Sequence, residues 1–221
     1  MIGAVLFDVD GTLVDSNDLH AAAWQEAIRH FGVDLPREEV RAQIGKGGDN
    51  LLPALLPEDL VERCRQEIED YRSELFEHHY LPQAVPFPGV RPLFERLYED
   101  GIRIVLATSA RQAELQFHRA LLGADDLIHA ATSKDDVERS KPCPDIFEAA
   151  LRQVRPLAEE EVLVVGDSPW DIKAACRAGL KAVAVRCGGF PEADLLEAGA
   201  VAVHDGPEDL LAYYPAWLHP A

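Results

Sequence analysis

Lysine is scarce in this 221-residue chain, with one residue each at 46, 134, 141, 173 and 181. Lysine and arginine together number 21 against 39 aspartates and glutamates, a formal net charge of −18. Such a surface repels nucleic acid and anionic headgroups, because neutralising phosphates takes clustered basic side chains. No nucleic-acid or membrane partner is therefore expected. An anionic ligand would need a cation and a few local positive groups, so each lysine's position carries information. No apolar run reaches the length of ~18 residues needed to span a bilayer. The start, Ile2-Gly3-Ala4-Val5-Leu6-Phe7, lacks the basic region and small-residue cleavage pattern of a secretory signal. The cysteines, Cys64, Cys143, Cys176 and Cys187, are scattered without CxxC spacing. That excludes a zinc-ribbon pattern and argues for reduced thiols in a cytoplasmic protein. Neither GxGxxG nor GxxxxGK[ST] occurs, which disfavours a nucleotide-binding module.

Short apolar runs are present instead. Ile2–Phe7, Ile102–Ala107 and Val162–Val165 read as buried strands, Ala182–Val185 as a weaker one and Ala200–Val203 as an edge. Between them lie helical patterns at Val90–Glu99, Gln112–Leu121, Asp145–Val154 and Asp171–Ala178, with a last short helix near Pro207–Ala212. This alternation predicts an α/β fold with a Rossmann-like, mostly parallel sheet covered by helices on both faces.

One interval breaks the alternation. From 16 to 85 only helices are expected: Asp18–Phe31, opened by capping from Ser16 and Asn17, and a long Glu58–His79. About seventy residues exceed an ordinary crossover. The expected organisation is a catalytic core of residues 1–15 and 86–221 with an inserted α-helical cap, 16–85. Its hinges would be Leu13–Asn17 and the proline-rich Pro82–Gly89 stretch.

In an open α/β sheet, ligands bind beyond the carboxyl ends of the strands. Asp8-Val9-Asp10-Gly11-Thr12-Leu13 follows the first run, Thr108 and Ser109 the second, and Gly166-Asp167-Ser168-Pro169-Trp170-Asp171 the third. Lys141 sits in a Ser140-Lys141-Pro142 turn just ahead of a helix. Taken singly, each has a plain structural reading. Asp10-Gly11 is a common turn, Asp167-Ser168 and Thr108-Ser109 can cap helices, and Lys141 can be a surface lysine. Carboxylates, hydroxyls and one lysine at strand ends of a single chain point to one site.

These motifs, Asp8-x-Asp10-Gly11-Thr12-Leu13-Val14-Asp15-Ser16, Thr108, Lys141-Pro142 and Gly166-Asp167-Ser168-x-x-Asp171, resemble the haloacid dehalogenase-like superfamily. The resemblance covers essentially the whole chain, and the helical insert is similar to the cap of the subgroup containing phosphoglycolate phosphatase and β-phosphoglucomutase. It implies an Mg²⁺-dependent phosphatase acting on a small phosphorylated metabolite through an aspartyl-phosphate. Asp8 would be the nucleophile and Asp10 the general acid and base. Asp8, Asp10 through its carbonyl, Asp167 and Asp171 would hold or surround the metal, an oxygen-rich set suited to a hard cation. Thr108, Ser109 and Lys141 would bind the phosphoryl oxygens.

Departures separate the reactions of the family. Asp10 argues against dehalogenation, since dehalogenases of the family lack that second aspartate. It also fits phosphate esters better than Schiff-base chemistry on Lys46, the insert's only lysine. β-Phosphoglucomutases usually carry Glu-Asp in the fourth motif, where this chain has Gly166-Asp167, and a mutase-type cap would offer an arginine near Gly48. Phosphatase leads, with the mutase as the alternative. A receiver-like domain would lack the long insert, and a non-catalytic phosphoryl-binding protein would be expected to have lost a catalytic residue. Substrate choice is expected from the cap: His20, the Gly45-Lys46-Gly47-Gly48 loop and Arg72. Taken singly, Arg72 reads as a solvated helix residue, His20 as an interface histidine, Trp170 as packing and His78-His79 as surface. Both a monomer and a homodimer fit the sequence.

Overall fold

The apolar runs become the centre of one sheet. The computed structural model describes residues 1–218. Its strands are Ala4–Phe7 (β1), Val14–Asp15 (β2), Val85–Pro86 (β3), Arg103–Ala107 (β4), Ile128–Thr132 (β5), Val162–Gly166 (β6), Lys181–Val185 (β7) and Ala202–His204 (β8). The α-helices are Asn17–His30 (α1), Arg37–Arg41 (α2), Gly48–Leu55 (α3), Glu58–Leu75 (α4), Val90–Glu99 (α5), Gln112–Leu122 (α6), Asp145–Gln153 (α7), Pro169–Arg177 (α8), Glu192–Glu197 (α9) and Pro207–Ala212 (α10).

Six strands pair in the order β5-β4-β1-β6-β7-β8, every neighbour parallel. Side chains alternate between faces with the period of a strand. Val5, Phe7, Ile104, Leu106, Leu163, Val165, Val183 and Val185 enter one core layer with α5, α6 and α10. Ala4, Leu6, Val105, Ala107, Val162, Val164, Ala182 and Ala184 enter the opposite layer with α7, α8 and α9. Burial on both faces explains why these strands read as continuous apolar runs.

The chain leaves and re-enters the sheet region through a two-stranded neck, Val14 opposite Pro86 and Asp15 opposite Val85. Between the two arms, α1 to α4 enclose an apolar cluster of their own, built on Trp24, Ala27, Ile28, Leu51, Leu52 and Ile68. The insertion is helical, as expected. Its interior differs in two places. The stretch after Gly47 is not wholly a connector but becomes α3, which buries Leu51 and Leu52 despite Gly48 at its start and Pro53 inside it. Helix α4 ends at Leu75, and Phe76–Tyr80 continues as a wider π-turn. There Phe76 packs against Ala23 and Leu81 in a separate cluster.

In the core, β5 was not anticipated, because Ile128-His129-Ala130-Ala131-Thr132 is a half-exposed edge with few β-branched residues. Helix α8 starts at Pro169, two residues earlier than expected, with proline in the first turn, where its missing N–H costs nothing.

Candidate active site

Strands β1 and β6 are adjacent, and the connections that follow them run to opposite sides of the sheet. A crevice opens at such a reversal, and the residues following the two strands meet in it. Asp8, Asp167 and Asp171 bring carboxylate oxygens within 4.8 Å of one another. All three are buried. Lys141 is 1 % exposed. Its Nζ lies 2.5 Å from Asp8 Oδ1 and 2.7 Å from Asp171 Oδ1.

Asp171 is fixed twice. One oxygen faces Lys141, while Oδ2 accepts from the Ser168 N–H at 3.0 Å and the Ser168 hydroxyl at 2.5 Å. The expected N-cap of the fourth motif is therefore real, and it also orients a site residue. Burial and the neighbouring Asp171 push the Asp8 carboxyl up to about 7, against the pull of Lys141. Burial, Asp171 and Asp8 likewise hold Asp167 well above the usual carboxylate range. Burial alone would favour neutral Lys141, but Asp171 and Asp8 outweigh it and keep it protonated. Three buried carboxylates facing one ammonium leave an excess of negative charge, and an all-oxygen donor set of this kind suits a hard divalent cation.

Two glycines make the crevice possible. Gly11 has φ +80°, and a Cβ there would overlap Asn17 and Asp167. A Cβ at Gly188 would overlap Asp167 Oδ2.

The expected capping of α1 is overturned. Neither Ser16 nor Asn17 caps the helix through its side chain. The Ser16 hydroxyl donates to Asp10 Oδ1 at 2.6 Å, and Asn17 Nδ2 donates to Asp167 Oδ2 at 2.7 Å. Hydrogen bonds to buried carboxylates are stronger than neutral caps, so the site captures both side chains.

Asp10 faces a cavity of about 590 Å³ between the helical insertion and the core. Asp8, His20, Lys46, Gly47, Arg72, Ser109 and Glu114 also line it. His20 Nε2 is 2.9 Å from Asp10 Oδ1, and Arg72 Nη2 contacts His20 Nδ1. Together the two bonds assign the tautomer: Nε2–H donates to Asp10 and Nδ1 accepts from Arg72. Burial lowers His20 to about 4 even beside Asp10, so the ring is neutral. Asp10 is held below the usual carboxylate range despite its burial, by His118, His20 and the Ser16 hydroxyl. Thr108 is buried, its hydroxyl 3.5 Å from Asp10 Oδ2 and accepting from the Ala110 N–H at 3.0 Å.

Arg72 is not the solvated helix residue its sequence position suggests. Its guanidinium carbon stands 5.2 Å from the Trp24 ring centre and 4.5 Å from that of Phe76. The fold of α4 over α1 turns it inward. Lys46 is half-buried at the cavity mouth, with Nζ 2.5 Å from Gln43 Oε1 and 4.0 Å from the Trp170 ring centre. Trp170 packs under it, and His78 and His79 are exposed.

Several site residues escaped the sequence reading. Glu114 lines the cavity with its side chain 11 % exposed, and His118 lies buried with Nε2 3.6 Å from Asp10 Oδ1. Their four-residue spacing on the helix that follows Thr108-Ser109 puts them on one face toward the site, and that is the signal that could have found them. Asp49 and Asn50 tie the insertion to the Lys141 turn. Asn50 Nδ2 donates to the carbonyls of Ser140 and Lys141, each at 3.2 Å, and Asp49 Oδ2 accepts from the Ser140 N–H at 3.1 Å.

A parallel sheet with a helical insertion after its first strand, and a carboxylate–lysine centre at the strand reversal, define a Rossmann-like α/β protein with its site at the sheet's switch point. The sequence as a whole agrees. A profile of the haloacid dehalogenase-like hydrolases matches residues 5–185, and the chain belongs to that family. It is similar to the pyrophosphatase PpaX of Anoxybacillus flavithermus, 32% identical over 83% of this chain and 83% of the relative. The phosphorylated carbohydrates phosphatase of Thermotoga maritima is 29% identical over 94% of this chain and 96% of its own. Among solved structures, a hydrolase from Pseudomonas syringae superposes with a TM-score of 0.82 at 31% identity, covering 96% of this chain and 97% of the other. Among the described residues, no helix is long and apolar enough to cross a membrane.

Proposed function

We propose that the chain is an Mg²⁺-dependent phosphatase that hydrolyses a small phosphorylated metabolite through an aspartyl-phosphate on Asp8. The observation that carries the reading is the Asp8–Lys141–Asp171 arrangement beside the cavity holding Asp10. Lys141 keeps the Asp8 carboxylate oriented, and the ionised form attacks phosphorus as the ester bond breaks. Asp10 carries the proton needed by the leaving oxygen. Asp10 takes that proton from solvent as the phosphoryl anion arrives beside it, gives it to the leaving oxygen, and then takes one from the water that cleaves the aspartyl-phosphate. His20 and Ser16 hold Asp10 in position throughout. The Ser109 N–H, the Thr108 hydroxyl and Lys141 serve the transferring oxygens.

Asp8, the Asp10 carbonyl and Asp167 would hold Mg²⁺, with Asn17 orienting Asp167. The ion supplies the positive charge that the crowded carboxylates lack. Asp171 belongs to the cluster chiefly as the anchor of Lys141, since both its oxygens are engaged. The segment 16–85 is read as a cap over the core of 1–15 and 86–221, excluding water from the cavity. Relatives named as phosphatases agree with this chemistry. The mutase alternative is weakened at Gly166, where a Cβ would meet Asp171 Cβ, so the mutase-type Glu-Asp pair lacks room on this backbone.

The test is phosphate release from a panel of phosphometabolites with Mg²⁺ and with a chelator, for the native chain and for Asp8→Asn. Metal-dependent release that falls about 10⁴-fold or more in the variant is expected. Full activity of Asp8→Asn would sink the covalent route, and full activity without metal would sink the ligand set.

A further inference from the structure

The turn that follows β7 meets a site carboxylate on one side and the helical insertion on the other. Gly188 lies so close to Asp167 that a Cβ would overlap its Oδ2. The Gly188 carbonyl accepts from Asn17 Nδ2 at 3.0 Å, and the same amide donates to Asp167 Oδ2 at 2.7 Å. Arg41 Nη2, reaching from α2 in the insertion, donates to that carbonyl as well. One residue earlier, the Cys187 thiol donates to the Gly11 carbonyl at 3.2 Å. Arg41 is fixed on its other sides too. Its Nε donates to Asp18 Oδ1 at 2.8 Å, and its guanidinium carbon stands 5.5 Å from the Phe190 ring centre. Gly189, at φ +91°, makes room for it, since a Cβ there would meet Arg41 Nη2 at 2.7 Å.

Two plain roles for Arg41 can be weighed against these contacts. An ion pair with Asp18, whose side chain is 81 % exposed, contributes little. A positive charge near a cation site opposes the cation, so charge alone predicts that losing Arg41 tightens metal binding. The hydrogen bonds predict the opposite sign. A carbonyl oxygen has two lone pairs, and here Asn17 and Arg41 take one each. Arg41 thereby holds the carbonyl, the carbonyl holds the Asn17 amide, and the amide holds the Asp167 carboxylate. Outer partners that orient a metal ligand are worth roughly 10–100-fold in affinity. Arg41 acts one bond further out, so its share is smaller.

We infer that Arg41 is a positioning residue for the metal centre, coupling the seating of the insertion to the orientation of Asp167 through Gly188 and Asn17. The inference rests on the phosphatase reading with Asp167 as an Mg²⁺ ligand, and the two are separable by experiment. The readout is the Mg²⁺ concentration at half-maximal rise of the melting temperature, measured without substrate at constant ionic strength, because an ion that binds only the folded chain stabilises it. In Arg41→Met, which keeps an apolar stem against Phe190 but has no donor, that concentration is expected to rise about fivefold or more. Asp18→Asn removes the surface ion pair and leaves the bond to Gly188, so its value stays within about twofold of native. Asn17→Ala raises the value by about 10–100-fold, and adding Arg41→Met to it costs less than about twofold more, as for residues acting in one chain. Unchanged or tighter Mg²⁺ binding in folded Arg41→Met overturns the inference while leaving the phosphatase reading intact. So does a loss in Asp18→Asn as large as that in Arg41→Met, or a fully additive double variant. A native chain that shows no melting response to Mg²⁺ and no metal-dependent phosphate release overturns both.

Discussion

Lys141 Nζ donates to Asp8 Oδ1 at 2.5 Å across a sequence separation of 133 residues. The same ammonium reaches Asp171 Oδ1 at 2.7 Å, so one buried cation organises two buried carboxylates. Removing one partner of such a group leaves charge without compensation, a loss of about 3–5 kcal/mol.

Lys141→Met is therefore expected to lower the urea midpoint and to cut kcat/KM by about 10²–10³-fold, the scale for losing one preorganised donor. Steady-state phosphate release and equilibrium denaturation check the two effects separately. Activity close to native would mean that Lys141 is only a structural counter-ion.

Glu114 supplies a pH signature with a definite sign. Burial, and then Asp10, raise its carboxyl from 4.5 to about 8. Between those values the native chain binds more protons than the unfolded chain, so the contribution of Glu114 to stability falls as pH rises through this window. Glu114→Gln should flatten the pH dependence of stability and raise stability at pH values above the folded one. Urea denaturation across that range measures it. An identical slope in the variant would mean that Glu114 is ionised in the fold.

The contacts of Asp49 and Asn50 with the Lys141 turn make seating of the insertion a condition for the geometry of the site. Asn50→Ala removes two hydrogen bonds of ordinary strength, roughly 0.5–1.5 kcal/mol each. KM should rise and kcat fall together, by about tenfold in kcat/KM, as for residues that govern closure. Unchanged kinetics would show that these bonds form in the unliganded chain without serving turnover.

Much of this protein is legible locally. An apolar run buried on both faces shows as an uninterrupted stretch of β-branched and aliphatic residues, so β1, β4, β6 and β7 are visible in sequence. The carboxylates follow directly at the strand ends, and the topology brings such positions to one edge. Asp8, Asp10, Thr108, Ser109, Asp167 and Asp171 could therefore be chosen without coordinates. The break in strand–helix alternation between 16 and 85 likewise pointed to a helical insertion. The edge strand β5 was not legible, because half-exposed alanines carry no period that distinguishes strand from loop.

What the tertiary structure decided is the partner of each polar side chain. Ser16 and Asn17 look like helix caps, yet they serve Asp10 and, 150 positions away, Asp167. Arg72 looks solvated, yet it meets His20 across 52 positions and lies against Trp24 and Phe76. Glu114 looks like one more acid of an acidic chain, yet it lies at the cavity wall with one oxygen buried 3.4 Å from His20 Nε2. Hydrophobic periodicity is written residue by residue because burial is a property of a face. Hydrogen bonds and ion pairs are chosen only when distant segments are packed together and desolvated, so their identity belongs to the fold.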